Sequence, residues 1–198
     1  MRFMIPYALV PILCFGGPLD GPQLPVHGKA ARIVEGAMVQ VREAASYTTG
    51  YFRIPYPNGD LPRSKGVCTD VVIRALRHAG YDLQVLIHRD MDRRFSTYPR
   101  RERRPDANID HRRCPNQAWF FRTYGTTLTN KVTRETLKHW KPGDIVYWKL
   151  DSGLDHTGIL TNRTNDRGEP YVVHNLGRCA EEDVLTAWKI VGHYRFPK

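Results

Sequence analysis

The order of the hydrophobic patterns along the chain is the feature that most limits its fold. Apolar residues return every three or four positions through residues 30–45, which is the period of an amphipathic helix. Beyond residue 145, short runs rich in Val, Ile, Tyr and Trp alternate with turns, as strands do. Helices followed by strands predict the α+β class, with N-terminal helices packed on a C-terminal antiparallel sheet.

The predicted elements have recognisable boundaries. Asp82 is a typical N-cap residue before a helix, and Gly80 and Gly125 are C-terminal stop signals. Pro115 suits the first turn of a helix, because the N–H that it lacks has no partner there. We therefore predict helices over residues 30–45, 69–78, 83–94 and 115–124, and strands over residues 145–148, 156–161, 171–174 and 188–196.

Residues 1–17 are typical of a secretory signal peptide. Arg2 precedes about 13 mostly apolar residues, and Gly16 and Gly17 are small residues suited to cleavage. The apolar run is too short, and too broken by Pro6 and Pro11, for a transmembrane helix. We expect a secreted or periplasmic protein without a membrane span after cleavage, with an irregular leader at 18–29 and a single domain at 30–198.

The chain is basic, with 30 Lys and Arg residues against 20 Asp and Glu residues and a formal net charge of +10. Such a balance suits an anionic partner, for example nucleic acid, a membrane surface or an acidic cell-wall polymer. The arginines concentrate in residues 89–113, where acidic residues also occur, and the sequence contains no Lys-rich arm or nucleic-acid-binding motif. We predict no nucleic-acid partner and favour a solvated basic surface as the reason for the charge.

Cys68 stands at the start of the second predicted helix. A helix N-terminus offers unpaired N–H groups and the positive end of the helix dipole, and both favour a thiolate over a thiol. Because the thiolate is the nucleophilic form of cysteine, Cys68 is a candidate catalytic residue. The alternative is a small buried side chain, which is the usual fate of a single cysteine.

His156 and His174 lie on two predicted strands that flank a polar loop. If these strands form a hairpin centred near Asn165, the two histidines are directly opposite each other and share a face. A thiolate, a base and a third group that orients the base form the arrangement of nucleophilic catalysis. The alternative for either histidine alone is a hydrogen-bonded residue of the sheet.

Three cysteines remain after the predicted signal peptide, namely Cys68, Cys114 and Cys179. An odd number in an oxidising compartment suggests one disulfide and one free thiol. We predict a disulfide between Cys114 and Cys179, which leaves Cys68 free. No CxxC pattern suggests a zinc site.

Four short motifs resemble the NlpC-type, papain-like cysteine peptidases of bacterial cell walls. A closer resemblance is to an uncharacterised bacterial branch, the YijF-like domain of unknown function, and rests on residues 108–112 and 181–185. The resemblance covers roughly residues 30–196. The four motifs are Gly66-Val67-Cys68-Thr69-Asp70, Lys141-Pro142-Gly143-Asp144-Ile145-Val146, Asp155-His156-Thr157-Gly158-Ile159 and Val173-His174-Asn175.

The resemblance implies a papain-like fold and a role for each matching residue. Cys68 corresponds to the nucleophile, His156 to the base, and His174 to the group that orients the base, with Asn175 as a weaker candidate for that last role. Tyr56, in the pair Pro55-Tyr56, corresponds to a tyrosine near the oxyanion site. No metal and no cofactor are implied.

The chain departs from the general family at two places. Where the family has Asp-Cys-Ser-Gly, this chain has Val67-Cys68-Thr69-Asp70, and Asp70 is expected to raise the thiol pKa or to bind a substrate amine. The insert at residues 83–113 is foreign to the general family. We expect its segment 108–113 to line the substrate cleft, whereas the alternative is a solvated loop. The candidate substrate-binding residues of this segment are Asn108, Asp110, His111 and Arg112.

The sequence thus predicts a cysteine hydrolase that cleaves an amide bond, with peptidoglycan stem peptides as the expected substrate and a monomer as the expected state. One alternative is a non-catalytic module that binds an anionic glycan in a basic groove. Another is a metal-dependent hydrolase, although its ligands lack a compact motif. The groove would use Arg89, Arg93, Arg112 and Arg113, and the metal site would use Asp110, His111, His156 and His174.

Overall fold

The computed structural model describes residues 22–198. The predicted signal peptide and the first residues of the predicted leader lie outside the described residues. The remainder of the leader runs along the sheet, where Gln23 forms an isolated antiparallel bridge with Arg163. Within residues 22–198, no helix has the length and apolar character that crossing a membrane requires.

Four α-helices form close to the predicted positions. Asp82 caps the third helix, because its carboxylate accepts a hydrogen bond from the backbone N–H of Gln84 at 3.1 Å. Gly80 follows the second helix with φ of +94°, a conformation that favours glycine. The helices are α1 (Gly28–Glu43), α2 (Cys68–His78), α3 (Leu83–Arg94) and α4 (Cys114–Tyr124), and short 3₁₀ turns cover Phe95–Thr97, Asp110–Arg112 and Leu137–His139.

The strands form two sheets of unequal size. The small one pairs β1 (Ser46–Tyr47) in parallel with β2 (Lys65–Gly66), directly before α2. The large one is antiparallel, with six strands in the order β3-β8-β4-β5-β6-β7. Its strands are β3 (Thr126–Thr127), β4 (Ile145–Lys149), β5 (Asp155–Thr164), β6 (Pro170–Asn175), β7 (Cys179–Glu182) and β8 (Lys189–Arg195). The predicted α+β class is therefore confirmed, and the two edge strands, β3 and β7, are the strands of this sheet that the sequence pattern did not predict.

Both faces of the large sheet are buried. On one face, Ile145, Ile159 and Val173 pack with the apolar sides of the helices in the main core. On the other face, Val146 and Leu160 join a second cluster with Trp140 and Trp148. Neighbouring positions of one strand thus enter different cores, because side chains alternate across a strand. This burial fixes the sheet and, with it, the positions of its histidines.

The register of the β5–β6 hairpin differs from the predicted one. His174 pairs with Gly158, while His156 pairs with Trp148 of β4. The expectation that the two histidines are directly opposite each other is therefore wrong, because β5 is longer than predicted and its pairing with β6 shifts between Leu160 and Thr164. The two imidazoles still share a face, since their positions differ by an even number of residues along the ladder.

The predicted disulfide is also wrong. Cys68, Cys114 and Cys179 are all free and buried. Cys114 begins α4 and has its sulfur 3.7 Å from that of Cys68, whereas Cys179 lies on the edge strand β7, where its N–H donates to Ala45. Counting cysteines did not reveal which two the packing brings together.

Candidate active site

The thiol of Cys68 lies at the N-terminus of α2, on the floor of a shallow cleft of about 320 Å³. The side chain is only 4% exposed, so a substrate must enter the cleft to reach the sulfur. Val67, the N-cap residue, is extended and has no polar side chain to satisfy the first turn. The unpaired N–H groups of a helix N-terminus therefore remain available near the sulfur.

Three side chains form a line of hydrogen bonds beside Cys68. His156 Nε2 lies 2.9 Å from His174 Nδ1. His174 Nε2 lies 2.7 Å from a carboxylate oxygen of Glu182 on β7. We call His156, His174 and Glu182 the histidine relay.

The carboxylate at the end of the relay sets the direction of its protons. Glu182 accepts, so His174 donates through Nε2–H and keeps Nδ1 as an acceptor. His156 must then donate through Nε2–H to His174. Its remaining nitrogen, Nδ1, is left for the Cys68 thiol. The relay thereby holds His156 in the tautomer that a general base requires.

The pKa values agree with a thiolate in this site. Hydrogen bonding from the Cys114 thiol, and then from His156 and the backbone of Thr157, lowers the pKa of Cys68 to about 5 against the opposing effect of burial. Burial and the neighbouring His156 charge lower the pKa of His174, although Glu182 acts in the opposite direction. His174 therefore stays neutral and serves as an acceptor.

Two tryptophans enclose the imidazoles. The Trp148 ring is stacked on His156 with centroids 5.7 Å apart, and the Trp188 ring meets His156 edge-on at 5.7 Å. Trp148 is itself fixed, because its Nε1–H donates to the carbonyl of Leu185 at 2.9 Å. Gly158 leaves space for the side chains of His174 and Val172. A Cβ atom at position 158 would lie 3.2 Å from Cβ of His174 and 2.6 Å from Cγ1 of Val172. Packing thus restricts both rings to one orientation.

Asp70 and Arg112 bind each other in the structure. Arg112 donates from Nε and Nη2 to the two oxygens of Asp70, at 2.9 Å each, and both side chains are nearly fully buried. The same carboxylate accepts the backbone N–H of Val67 at 2.8 Å. Asp70 therefore caps α2 and neutralises Arg112, which leaves neither residue free to bind a substrate amine or carboxylate as predicted.

Segment 108–113 reaches the cleft only at its C-terminal end. Arg112 and Arg113 line the cleft, whereas Asp110 and His111 are buried in a 3₁₀ turn. Burial raises the pKa of Asp110 and lowers that of His111 to about 4. Asn108 lies in a different cleft and accepts the backbone N–H of Ile54 at 2.9 Å. The expectation that the whole segment lines the substrate cleft is wrong for these three residues, because they tie the insert to the core.

The tyrosine beside Cys68 is not the predicted one. Among the residues that the structure describes, the cleft lining includes Tyr47 and does not include Tyr56. Tyr56 packs edge-on against His88 of α3, with ring centroids 5.1 Å apart. Burial, followed by the nearby Cys68, raises the pKa of Tyr47. The pairing of β1 with β2 brings Tyr47 next to Gly66, two residues before the nucleophile.

Asn175 is buried behind the relay and has a structural contact. Its side-chain N–H donates to the carbonyl of Ala45 at 3.0 Å. The bond joins the end of β6 to the loop that follows α1. His174, and not Asn175, is thus the residue in contact with His156.

Three site residues escaped the sequence analysis. Glu182 lies on β7, which was not predicted, although segment 181–185 was noted as a mark of the YijF-like branch. Tyr47 lies in a two-residue strand, too short for a period to be visible. Cys114 was assigned to a disulfide. Glu182 lies two positions along β7 from Ala180, the cross-strand partner of His174, so its approach to His174 becomes visible only once β7 is known.

The alternative sites predicted from sequence are dispersed. Arg112 and Arg113 line the Cys68 cleft, but Arg89 and Arg93 line a separate one beside Phe120. Within the described part of the chain, no group of three or more His, Cys, Asp or Glu side chains is arranged to hold a metal ion. The relay and the Cys68 cleft remain as the concentrated site.

Comparison with known proteins gives one family and one relative. The family model described as "Domain of unknown function (DUF1287)" matches residues 34–196. The protein described as "Uncharacterized protein YijF" from Escherichia coli (strain K12) is 46% identical over 168 residues, which cover 83% of this chain and 80% of that protein. The residues that the family model matches include the lining of the Cys68 cleft and the whole relay.

Proposed function

The chain belongs to the DUF1287 family, which confirms the predicted YijF-like relationship, and we propose that it is a cysteine hydrolase that cleaves an amide bond. The observation that carries the proposal is the hydrogen-bonded line from His156 through His174 to Glu182 beside a thiol of lowered pKa. The combination of nucleophile, base and orienting group is that of covalent catalysis. We also propose that the α+β fold is of the papain-like, NlpC type.

In the proposed reaction, Cys68 attacks the carbonyl carbon of the substrate as a thiolate. His156 takes the thiol proton at Nδ1 and later gives it to the leaving amine, so that an acyl-enzyme remains. Water, activated by the same nitrogen, then releases the acid. His174 keeps His156 aligned and Glu182 keeps His174 in the tautomer that accepts, so neither needs to change protonation during the cycle.

The negative charge of the tetrahedral intermediate needs hydrogen-bond donors. The Cys68 backbone N–H at the start of α2 is one proposed donor, and the Tyr47 hydroxyl replaces that of Tyr56 as the second. Tyr47 is 39% exposed, so its ring can adjust to a substrate in the cleft.

The charge of the cleft supports a substrate that carries carboxylates. Arg100, Arg112 and Arg113 line the cleft against one acidic residue, Asp155, which is paired with Lys149 at 2.7 Å. Arg112 is neutralised by Asp70, but Arg100 is exposed and Arg113 forms its salt bridge with the exposed Glu102. Peptidoglycan stem peptides combine amide bonds with free carboxylates, and we propose them as the substrate, with a secreted or periplasmic location.

Digestion of purified peptidoglycan tests the proposal. Wild-type protein and the control Cys179→Ala, whose thiol is buried on β7 away from the cleft, are expected to release fragments whose masses identify the cleaved bond. Cys68→Ala is expected to release none. Equal release by Cys68→Ala would overturn the thiol mechanism. Retention of wild-type protein on the polymer without release of fragments would favour the non-catalytic binding module.

A further inference from the structure

The second thiol in the cleft, that of Cys114, forms no bond to the substrate in the proposed hydrolysis. Cys114 Sγ lies 3.7 Å from Cys68 Sγ, and both residues are the first of their helices, α4 and α2. Both also line the same cleft, so a small molecule that reaches one sulfur reaches the other. Two helix N-termini therefore bring a pair of thiols together at one point of the cleft.

Polar contacts on either side hold the two helix N-termini together. The Thr69 hydroxyl donates to the carbonyl of Arg112 at 3.0 Å, one residue after Cys68 and two before Cys114. Gln117 Nε2 donates to the carbonyls of Thr69 and His111, at 3.3 and 2.8 Å. With the buried pair of Asp70 and Arg112, these bonds join the first turn of α2 to the first turn of α4. The closeness of the thiols is thus built into the packing of the insert.

We propose that Cys68 and Cys114 form a reversible disulfide when a hydroperoxide enters the cleft, with Cys114 as the resolving cysteine. The Cys68 thiolate attacks the terminal peroxide oxygen, the O–O bond breaks, and Cys68 becomes a sulfenic acid while hydroxide or an alkoxide leaves and takes up a proton from water. Cys114 then attacks the Cys68 sulfur, the S–O bond breaks, and water leaves with the Cys114 proton. Two thiols are oxidised and one peroxide is reduced.

The second step needs only a short approach of the two sulfurs. Because a disulfide has an S–S length of about 2.05 Å, the sulfurs must approach by about 1.7 Å from their separation of 3.7 Å. The hydrogen bond to Cys68, followed by burial and the Cys68 charge, raises the pKa of Cys114. Oxidation of Cys68 to the sulfenic acid removes that charge and with it one cause of the raised pKa of Cys114. Loss of a proton from Cys114 is thus favoured at the step in which it attacks the Cys68 sulfur.

The proposal differs from the expected pairing of Cys114 with Cys179. Burial raises the pKa of Cys179 to about 12, and its thiol lies on β7 away from the cleft. Cys179 thus serves as an internal reference for a cysteine that peroxide does not oxidise.

Hydrogen peroxide is the probe for the test, and intact mass is the principal measurement. Treated wild-type protein, prepared without residues 1–17 and therefore without Cys14, is expected to lose the mass of two hydrogens, to have one titratable thiol left after denaturation, and to regain all three with dithiothreitol. Peptide mapping is expected to join the Cys68 and Cys114 peptides. Cys179→Ser is expected to form the same disulfide, whereas Cys114→Ser is expected to gain oxygen atoms on Cys68 instead.

The outcome does not depend on hydrolysis, because thiols and masses are measured. Oxygen atoms on Cys68 with Cys114 intact in wild-type protein would overturn the proposal, as would a disulfide that includes Cys179. Alkylation of Cys68 by iodoacetamide in Cys114→Ser, before peroxide is added, checks that the variant is folded with an accessible thiol. Failure to digest peptidoglycan, by contrast, would contradict the proposed function and would not affect the test of the disulfide.

Discussion

Two buried histidine clusters lie near the two ends of β4, and they differ in what their ring nitrogens are left to do. The relay ends on His156, whose Nε2 bonds His174 and whose Nδ1 remains for Cys68. In the other cluster, His193 Nδ1 lies 2.9 Å from the carbonyl of Thr129 and Nε2 lies 3.0 Å from Asp144. We call the relay the open cluster, because His156 Nδ1 remains for Cys68. We call His193, Asp144 and Arg195 the closed cluster, because both ring nitrogens of His193 have a partner there or at Thr129.

The closed cluster is built like a structural support. Arg195 donates from Nε and Nη2 to the two oxygens of Asp144, at 2.7 and 2.8 Å, and the His193 ring stacks on Trp140 with centroids 3.7 Å apart. Each carboxylate oxygen of Asp144 has a partner within the cluster. Burial and a carboxylate partner are thus common to both clusters, and only the spare nitrogen beside a nucleophile distinguishes a candidate base.

The largest expected effect is on activity, which a substitution in the open cluster should lower and one in the closed cluster should not. His156→Ala removes the base of the proposed reaction and is expected to lower kcat/KM on peptidoglycan fragments by about 10³- to 10⁴-fold. His193→Ala is expected to keep the turnover of the folded fraction while lowering the melting temperature. Kinetics and thermal unfolding of both variants make the comparison. Similar losses of turnover in the two folded variants would remove the distinction.

The next expected effect concerns stability. Asp144→Ala leaves His193 and Arg195 without their shared carboxylate and is expected to lower the free energy of unfolding by about 3–5 kcal/mol. Asp166→Ala, at an exposed turn, is the matched control and is expected to change it by less than about 0.5 kcal/mol. Urea unfolding measures both. An Asp144 variant as stable as the control would show that the closed cluster is dispensable.

The pH dependence of alkylation measures the charge in the open cluster. The pKa of Cys68 is about 5, below the ordinary thiol value of 9.0, so the thiolate is present above pH 5 and lost as the pH falls through that value. The iodoacetamide rate is expected to be nearly flat between about pH 6 and 8 and to fall about tenfold per pH unit below 5. A rate that rises steadily towards pH 9 would mean that Cys114 and His156 do not stabilise a thiolate at Cys68.

The smallest effect is expected at the outer end of the relay. Glu182→Gln keeps the shape but weakens the hold on His174, and because the carboxylate is half exposed we expect a loss of about tenfold or less in kcat/KM. Glu181→Gln, one position away on β7, contacts Thr161 and Arg163 and is the control. A Glu182 variant with the wild-type rate and pH profile would place the end of the relay at His174.

The sequence determined the features that depend on near neighbours. Helical periods, the Asp82 cap and the stop at Gly80 gave the helices within a few residues, and alternating β-forming runs gave four of the six strands of the large sheet. Cys68 and the two histidines were selected as candidates by residue type and by their places on elements. Such signals act over one or two turns of chain, where each residue contacts the residues that precede and follow it.

Tertiary structure decided the contacts between distant segments. The length of β5 set the register that pairs His174 with Gly158, and the added edge strand β7 brought Glu182 to the relay. Packing of the insert paired Asp70 with Arg112 and placed Cys114 beside Cys68, although 46 residues separate the two cysteines. Local pattern cannot specify these partners, because each side chain has many chemically suitable partners in the sequence and only close packing of the whole core selects one.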